Sequence, residues 1–588
     1  LAAVAFVYAL EGLGEGLQGG LLHYHPPARA EDHRPRPITE PSPIWLLVLL
    51  PALGGLAAGL IVASARPAQG AEAEVHGTDA IVRAFHRGGG HFRARDPLVI
   101  GSAALLTLAT GGSAGPEGPV GQIGAGIGST IARLLRLTPG ERRLLMLAGA
   151  AGGIGAVFRA PLGGALFVVE VLYSTTAIEA AALLPCLAGS IVAYSTFALF
   201  NTPSPVFAVP NLRFRGLFHL PLFALLALAC AATGWLFVRV YHGMHEYVFK
   251  PLPLPRPARA ALGGLLLGLL AILFPQLLGI GYGWMQWGAV GMPPHLVQAG
   301  ESAFLPNLGI GMLLLLALLK TVATGLTLGS GGSGGLFAPT VFIGGMLGGA
   351  VGQGLDLLIG QELDIEPAAY VLVGMGGFFA ATSKTPLAAI LMVAEMTGSY
   401  NLLVPLMLAC GLNMGLSRRW TLYREQVPSP IDSPAHQGDF VVDVLERLRV
   451  GQVGYRAEGL ELMPESLSFD QVLRRVANSS ETLYPVVDPS GRLTGIFSLR
   501  DVRLALQGSN LGGLVVAADL GTRAISTVTP NDDLNTALKR MTELNLDEIP
   551  VVAPDDPTRL LGLFSRKTLV AAYTAQIEAL RRPGAAVS

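Results

Sequence analysis

Up to about residue 417 the chain is a series of long apolar runs divided by short polar breaks. The runs at 44–65, 177–200, 220–238, 258–274, 308–328 and 402–416 are predicted to be helices. Several reach the ~20 residues needed to cross a hydrocarbon layer. Two others, 97–108 and 335–352, are interrupted by glycine and proline and are expected to be short, broken helices. Broken backbone at membrane depth is tolerated only where it is buried in protein or lines a cavity, so these breaks point to a functional site. After Arg418 and Arg419 the texture changes: charged residues reach ordinary frequency and short strands alternate with helices. A separate α/β domain is expected there, placed on the cytoplasmic side by the arginine pair.

Composition agrees with a bilayer as solvent. Of 588 residues only 14% are charged, 51% are hydrophobic and 75 are glycine. Soluble domains carry roughly a quarter charged residues. The net charge of −1 gives no electrostatic support for nucleic-acid binding. Cys186, Cys230 and Cys410 each lie inside an apolar run and are expected to be small buried hydrophobes. The chain opens at Leu1 within an apolar stretch, which is expected to continue a preceding segment. Glu11, Glu15 and the lack of a basic start argue against a signal peptide. The polar, proline-rich stretch 23–43 contains His23, His25 and His33 and is expected to be a solvated loop outside the bilayer.

The apolar part repeats itself. Gly115-Pro116-Glu117-Gly118-Pro119 aligns with Gly335-Leu336-Phe337-Ala338-Pro339 at an offset of 220, which also pairs Gly124 with Gly344 and Gly128 with Gly348. Pro161 and Glu170 align with Pro386 and Glu395 at an offset of 225, as do Gly149 with Gly374 and Gly152 with Gly377. Membrane repeats of this kind build a site at their interface. The tail repeats as well: 483–488 with 495–501, then 548–552 with 562–568, each a strand, a turn, a strand and a helix start.

Glu117 is the unusual group. A carboxylate at membrane depth costs about 2.5–3.5 kcal/mol on insertion scales. Helix N-termini offer unpaired N–H groups and positive potential without a trapping full charge, which suits a dehydrated anion. Beside such N–H groups the Glu117 carboxylate would itself be the anion, and protonation or displacement by a halide would move it, as a gate does. A helix-capping carboxylate is the alternative. Glu170 and Glu395, placed alike in the two repeats, are expected to be structural and satisfied by helix ends. The run 329–334 satisfies GxGxxG, but its apolar flanks argue against a dinucleotide site, which needs a soluble strand–turn–helix unit.

Gly-x-Glu-Gly-Pro at 115–119, Gly-x-Phe-x-Pro at 335–339, Gly374–Gly377 running to Pro386, and Glu395-Met396-Thr397 together resemble the CLC family of chloride channels and anion/proton exchangers. The tail resembles a pair of CBS domains, an adenosine-nucleotide-sensing module. The resemblance covers essentially the whole chain. It implies an α-helical polytopic membrane protein, a CLC-type inverted repeat of broken helices, with an α/β cytoplasmic CBS pair. The expected divisions are a pore over 1–427, a linker over 428–448 and CBS domains over 449–508 and 509–588. By the same resemblance Glu117 is the gate. Gly118, Leu336 and Phe337 offer backbone N–H groups to the anion, and Tyr423 offers its hydroxyl. Further implications are a homodimer in the cell membrane, chloride bound in the pore, no cofactor for transport, no metal, and no enzymatic activity.

Three departures refine this expectation. The family often carries a serine loop ahead of this region; here 75–79 aligns with it, and His76 is the candidate N–H donor, with a solvated loop histidine as the alternative. Pro116 stands where a basic residue is usual. Val171 stands where exchangers typically carry a second, proton-relaying glutamate, which favours a channel over a proton-coupled exchanger of the same fold. In the tail, Ser498 and Asp501 fit the CBS ribose-binding pattern, whereas the second copy has Ser565 but Thr568 in place of the acid. One nucleotide site is therefore expected, against a purely structural CBS pair. A membrane receptor that reports nucleotide levels without transport is the reading from another class.

Overall fold

The computed structural model describes residues 1–24, 43–65, 77–201, 205–207, 209, 212, 214, 216–290, 308–436, 444–507, 515–522 and 525–581. The chain divides into two compact units, Leu1–Ala435 and His436–Ser588.

The first unit is helical, and its helices fall into two series of eight among the described residues. The first series is α1 (Ala2–Gly14), α2 (Ile44–Ser64), α3 (Thr78–His86), α4 (Asp96–Ala109), α5 (Glu117–Leu134), α6 (Pro139–Val157), α7 (Pro161–Glu170) and α8 (Ala180–Ala198). The second is α9 (Leu220–Gly243), α10 (Arg256–Leu273), α11 (Tyr282–Val290), α12 (Ile310–Gly329), α13 (Phe337–Leu363), α14 (Pro367–Ser383), α15 (Pro386–Thr397) and α16 (Leu403–Leu416). Six of these, α2, α8, α9, α10, α12 and α13, are long and apolar enough to cross a bilayer. The three cysteines are buried and unpaired.

The predicted break at 335–352 differs from what folds. Gly344, Gly345, Gly348, Gly349 and Gly352 do not interrupt a helix; they lie within the 27 residues of α13. Their role is close approach. A Cβ on Gly344 would strike the Gly374 carbonyl, and one on Gly348 the Tyr370 carbonyl. Small residues let membrane helices touch backbone to backbone where no hydrophobic driving force separates protein from lipid. The first half repeats the device with Gly124 against Gly149.

Equivalent residues of the two halves exchange contacts reciprocally. Gly115 N–H donates to Gly335 O at 2.9 Å, and Gly335 N–H to Gly115 O at 2.7 Å. Ser113 N–H donates to Thr327 Oγ1 at 3.0 Å, and Ser333 N–H to Thr107 Oγ1 at 3.2 Å. Each bond is matched by one between the counterparts of its two residues, which requires a local two-fold axis between Gly115 and Gly335. Gly111 and Gly331 mark the same corner in both halves, with φ of +98° and +110°, a region that favours glycine.

The repeated carboxylates extend this symmetry. Glu170, at the end of α7, accepts the Leu387 and Ala388 N–H groups at 3.1 and 2.8 Å, at the start of α15. Glu395, near the end of α15, accepts the Leu162 and Gly163 N–H groups at 3.2 and 2.8 Å, at the start of α7. Each helix thus caps the other's N-terminus, as expected for acids satisfied by helix ends.

In the second unit, β1 (Met463–Pro464) pairs parallel with β2 (Leu483–Val487), which pairs antiparallel with β3 (Leu493–Ser498). β4 (Glu548–Val552) pairs antiparallel with β5 (Leu560–Ser565). The hairpins share a register irregularity, between Val486 and Val487 and between Val551 and Val552, and each runs directly into a helix, α17 (Leu499–Gln507) and α18 (Arg566–Arg581). The repeat read in the tail is therefore a repeated β-hairpin–helix unit.

Glu170→Ala and Glu395→Ala should each destabilise the detergent-solubilised chain by about 1.5–3 kcal/mol, since each strips two N–H groups of a charged partner. Thermal unfolding of both variants and of the double variant checks this. Unchanged melting temperatures would show that the exchanged caps carry no stability.

Candidate functional site

The site forms where broken helices meet. Pro116 precedes α5 and Pro119 lies in its first turn; Pro339 lies in the first turn of α13. Proline is tolerated there because first-turn N–H groups have no helical partner. The Gly115–Gly335 pairing holds these two helix starts together. Gly77, which begins α3 with φ of +58°, brings a third. A Cβ on Gly118 would collide with the Cα atom of Gly77 and press on that of Gly335. Three helix N-termini therefore converge, and their positive ends add.

Glu117 closes the convergence. Its side chain is 1% exposed, and Oε1 accepts the Phe337 N–H at 2.5 Å. The N–H groups of Ala338 and of Glu117 itself add to the positive potential around the carboxylate. Oε2 is buried without a hydrogen-bond partner among the described residues. The carboxylate lies between Gly115 and Gly335, and a Cβ on either would overlap it. Leu336 precedes α13 as its N-cap. The Phe337 ring packs between Phe158 and Phe379 at centroid distances of 4.5 and 4.6 Å, so the side chain is core while the N–H faces the carboxylate.

Tyr423 arrives on a strap after α16. It is 2% exposed, and its hydroxyl has no hydrogen-bond partner among the described residues. Thr78 lies beside that hydroxyl, and Glu117 lies within its electrostatic reach. A buried hydroxyl is normally satisfied, so this donor suits a halide entering beside Glu117. The strap is tied on three sides. Leu422 N–H donates to Thr382 O at 3.0 Å. Glu425 N–H donates to Asp79 Oδ1 at 3.1 Å. Gln426 Nε2 donates to Val171 O and to Ser383 O, both at 2.9 Å.

The structure thus brings together Glu117, Gly118, Leu336, Phe337 and Tyr423. Val171 is buried at the end of α7 and touches the strap through its carbonyl. His76 lies outside the described residues, as do His25 and His33. From the segment aligned with the family's serine loop, Gly77 and Thr78 reach the site. Sequence reasoning passed over them and over Gln426, although a glycine followed by Thr-Asp is a readable helix start. In the second unit Asp501 Oδ2 accepts both the N–H and the hydroxyl of Ser498 at 2.7 Å. In the other copy Ser565 Oγ and Thr568 Oγ1 are 2.8 Å apart.

The sequence profile of the voltage-gated chloride channel family matches residues 54–418. The chain belongs to this family. CBS-domain profiles match 462–508 and 516–575. The voltage-gated ClC-type chloride channel ClcB of Escherichia coli is 33% identical over 395 residues, covering 66% of this chain and 87% of that protein. The chloride channel protein CLC-e of Arabidopsis thaliana is 28% identical over 585 residues, covering 89% and 80%. Among solved structures, a slow cyanobacterial Cl−/H+ antiporter aligns with a TM-score of 0.59 at 22% identity, over 71% of this chain and 90% of that one. A eukaryotic CLC transporter aligns with a TM-score of 0.54 at 17% identity, over 97% and 96%. The CLC chain is accordingly a membrane protein with the inverted repeat of broken helices and a CBS pair.

Gly335→Ala should drive the Glu117 carboxylate off the Phe337 N–H, because the new methyl overlaps it. A structure of the variant checks this. A carboxylate still bonded to Phe337 would show that the glycine pair does not define its seat.

Proposed function

We propose that this CLC chain is a chloride channel in which Glu117 is the gate. The observation that carries the reading is the Glu117 carboxylate seated on the Phe337 N–H, where a permeating anion would bind. Protonation or competition by chloride frees that seat. Gly118, Leu336 and Phe337 then offer backbone N–H groups to the ion, and Tyr423 its hydroxyl. The oxygen Oε2 makes no hydrogen bond among the described residues, so leaving costs less than it would from a fully satisfied cap. Val171 supports a channel, since its side chain carries no proton.

A proton-coupled chloride exchanger is the second reading, favoured by the likeness to a Cl−/H+ antiporter. The family likeness supports a homodimer in the cell membrane with a cytoplasmic CBS tail. In the tail, Asp501 Oδ2 is engaged with Ser498, which leaves Oδ1 for sugar hydroxyls of an adenosine nucleotide at this one copy.

Glu117→Gln should raise chloride flux from liposomes at neutral pH by about tenfold, as a charge-assisted hydrogen bond is replaced by a neutral one, and should flatten its pH dependence. Retained pH dependence removes Glu117 from the gate. Steady proton pumping by the wild-type chain under a chloride gradient would establish the exchanger instead. For the tail, Asp501→Asn should weaken ATP or AMP binding, measured calorimetrically on the full chain, by about tenfold. Equal affinity in the two proteins would assign the pair to structure alone.

A further inference from the structure

An anion pathway needs helix N-termini turned toward it and helix C-termini kept from it, because the last carbonyls of a helix carry about half a negative charge. Two helices of the pore unit, α14 and α16, end beside the strap that bears Tyr423. The contacts are direct. Leu422 N–H bonds to Thr382 O, and Gln426 Nε2 to Ser383 O, in the last turn of α14. Left bare, these ends would place negative potential against the strap that carries Tyr423.

Lys384 covers both. It follows α14 with φ of +66° and is 2% exposed. Its Nζ donates to Ala381 O at 3.0 Å and to Ser417 O at 2.5 Å, the carbonyls at the ends of α14 and α16. It also bonds to Ser417 Oγ. That hydroxyl gives its own proton to Asn413 O at 2.6 Å, so toward Lys384 it accepts. Three acceptors around one nitrogen match the three N–H donors of an ammonium. The Trp420 ring, 4.6 Å from Nζ, adds cation–π stabilisation. The same position in the first half is Arg159, also left-handed at φ +53° and set over Phe197. Other charges on or beside the strap are Arg418 and Arg419, Arg424 paired with Glu246 at 2.7 Å, Asp79, and Glu425 paired with Arg83 and Arg87 at 3.1 and 3.4 Å.

We propose that Lys384 is an electrostatic positioning residue for anion conduction: its ammonium neutralises the C-termini of α14 and α16 and keeps the Tyr423 end of the pathway attractive to anions. This rests on the reading of the site as an anion pathway. Gln426 ties the strap to the carbonyls of Val171 and of Ser383, the residue before Lys384, so the strap is joined to the helix end that the Lys384 cation covers.

The test is chloride flux and reversal potential of the full chain reconstituted in bilayers, at low and high chloride. Lys384→Met removes charge and donors. Lys384→Gln removes charge but keeps two N–H donors for the carbonyls. Both should lower flux at low chloride by about fivefold or more, recover at high chloride, and reduce selectivity for chloride over potassium. Lys384→Arg should stay near wild type in all three. A Lys384→Gln protein with wild-type flux and selectivity overturns the proposal. So does failure of both neutral variants to fold while Lys384→Arg folds, because Lys384 is then a structural cap only. A wild-type chain that passes no halide defeats the anion-pathway reading itself, a separate and distinguishable result.

Discussion

Everything in the pore unit follows from bringing two helix N-termini face to face. The reciprocal pairing of Gly115 with Gly335 fixes the starts of α5 and α13 against each other across the local two-fold axis. Two like dipole ends at that distance repel, and away from water nothing else screens them. The arrangement is stable only with negative charge between them. Glu117 supplies it, and the glycines leave the space in which its carboxylate fits. A mobile anion satisfies the same electrostatic demand, and in the proposed function one geometry serves both closing and binding.

The fold contains its own control for this argument. The N-termini of α7 and α15 face the same problem, and there each half contributes an acid. Glu170 and Glu395 each accept two backbone N–H groups, so two helix starts have two carboxylates and neither needs an ion. At α5 and α13 the equivalent positions are Glu117 and Phe337, one carboxylate for two helix starts, with one direct N–H bond. The shortfall of one negative charge leaves this pair the room for an anion that the proposed function uses, whereas the other pair is already satisfied. Of the three positions at which 115–119 and 335–339 differ, Glu117 against Phe337 is the one that changes charge, with the backbone symmetry kept.

Much of this was legible in the sequence. The offsets of 220 and 225 residues exposed the repeat, and a lone acid in an apolar, glycine-rich segment exposed Glu117. The structural role of Glu170 and Glu395 was legible because buried charge in a bilayer must be satisfied. Their partners were not: each caps a helix more than 200 residues away, and no local pattern encodes that. The glycines at 344–352 misled for a physical reason. A glycine that breaks a helix and one that lets two helices touch leave the same trace, and the partner backbone at Gly374 decides between them. Tyr423 was legible through the family resemblance, but the anchoring of its strap was not, because Gln426 acts through its amide on two distant carbonyls, which no residue type announces.

The distribution of cations completes the electrostatic logic. Lys320 is fully buried, and its Nζ donates to Leu277 O and Gly279 O at 3.0 and 2.8 Å, over the Phe342 ring. Lys384 likewise meets carbonyls, a hydroxyl and an aromatic face. Neither makes an ion pair with a carboxylate among the described residues. Buried Glu117 and Glu170 sit on helix N-termini, buried Glu179 takes the Tyr173 hydroxyl at 2.6 Å, and buried Lys320 and Lys384 sit on backbone carbonyls. A carboxylate–lysine pair would cancel both fields and leave the interior neutral to an ion of either sign. Setting each charge against backbone dipoles leaves N–H groups as the polar surface at the α5–α13 junction, which is the condition an anion requires and a cation cannot use.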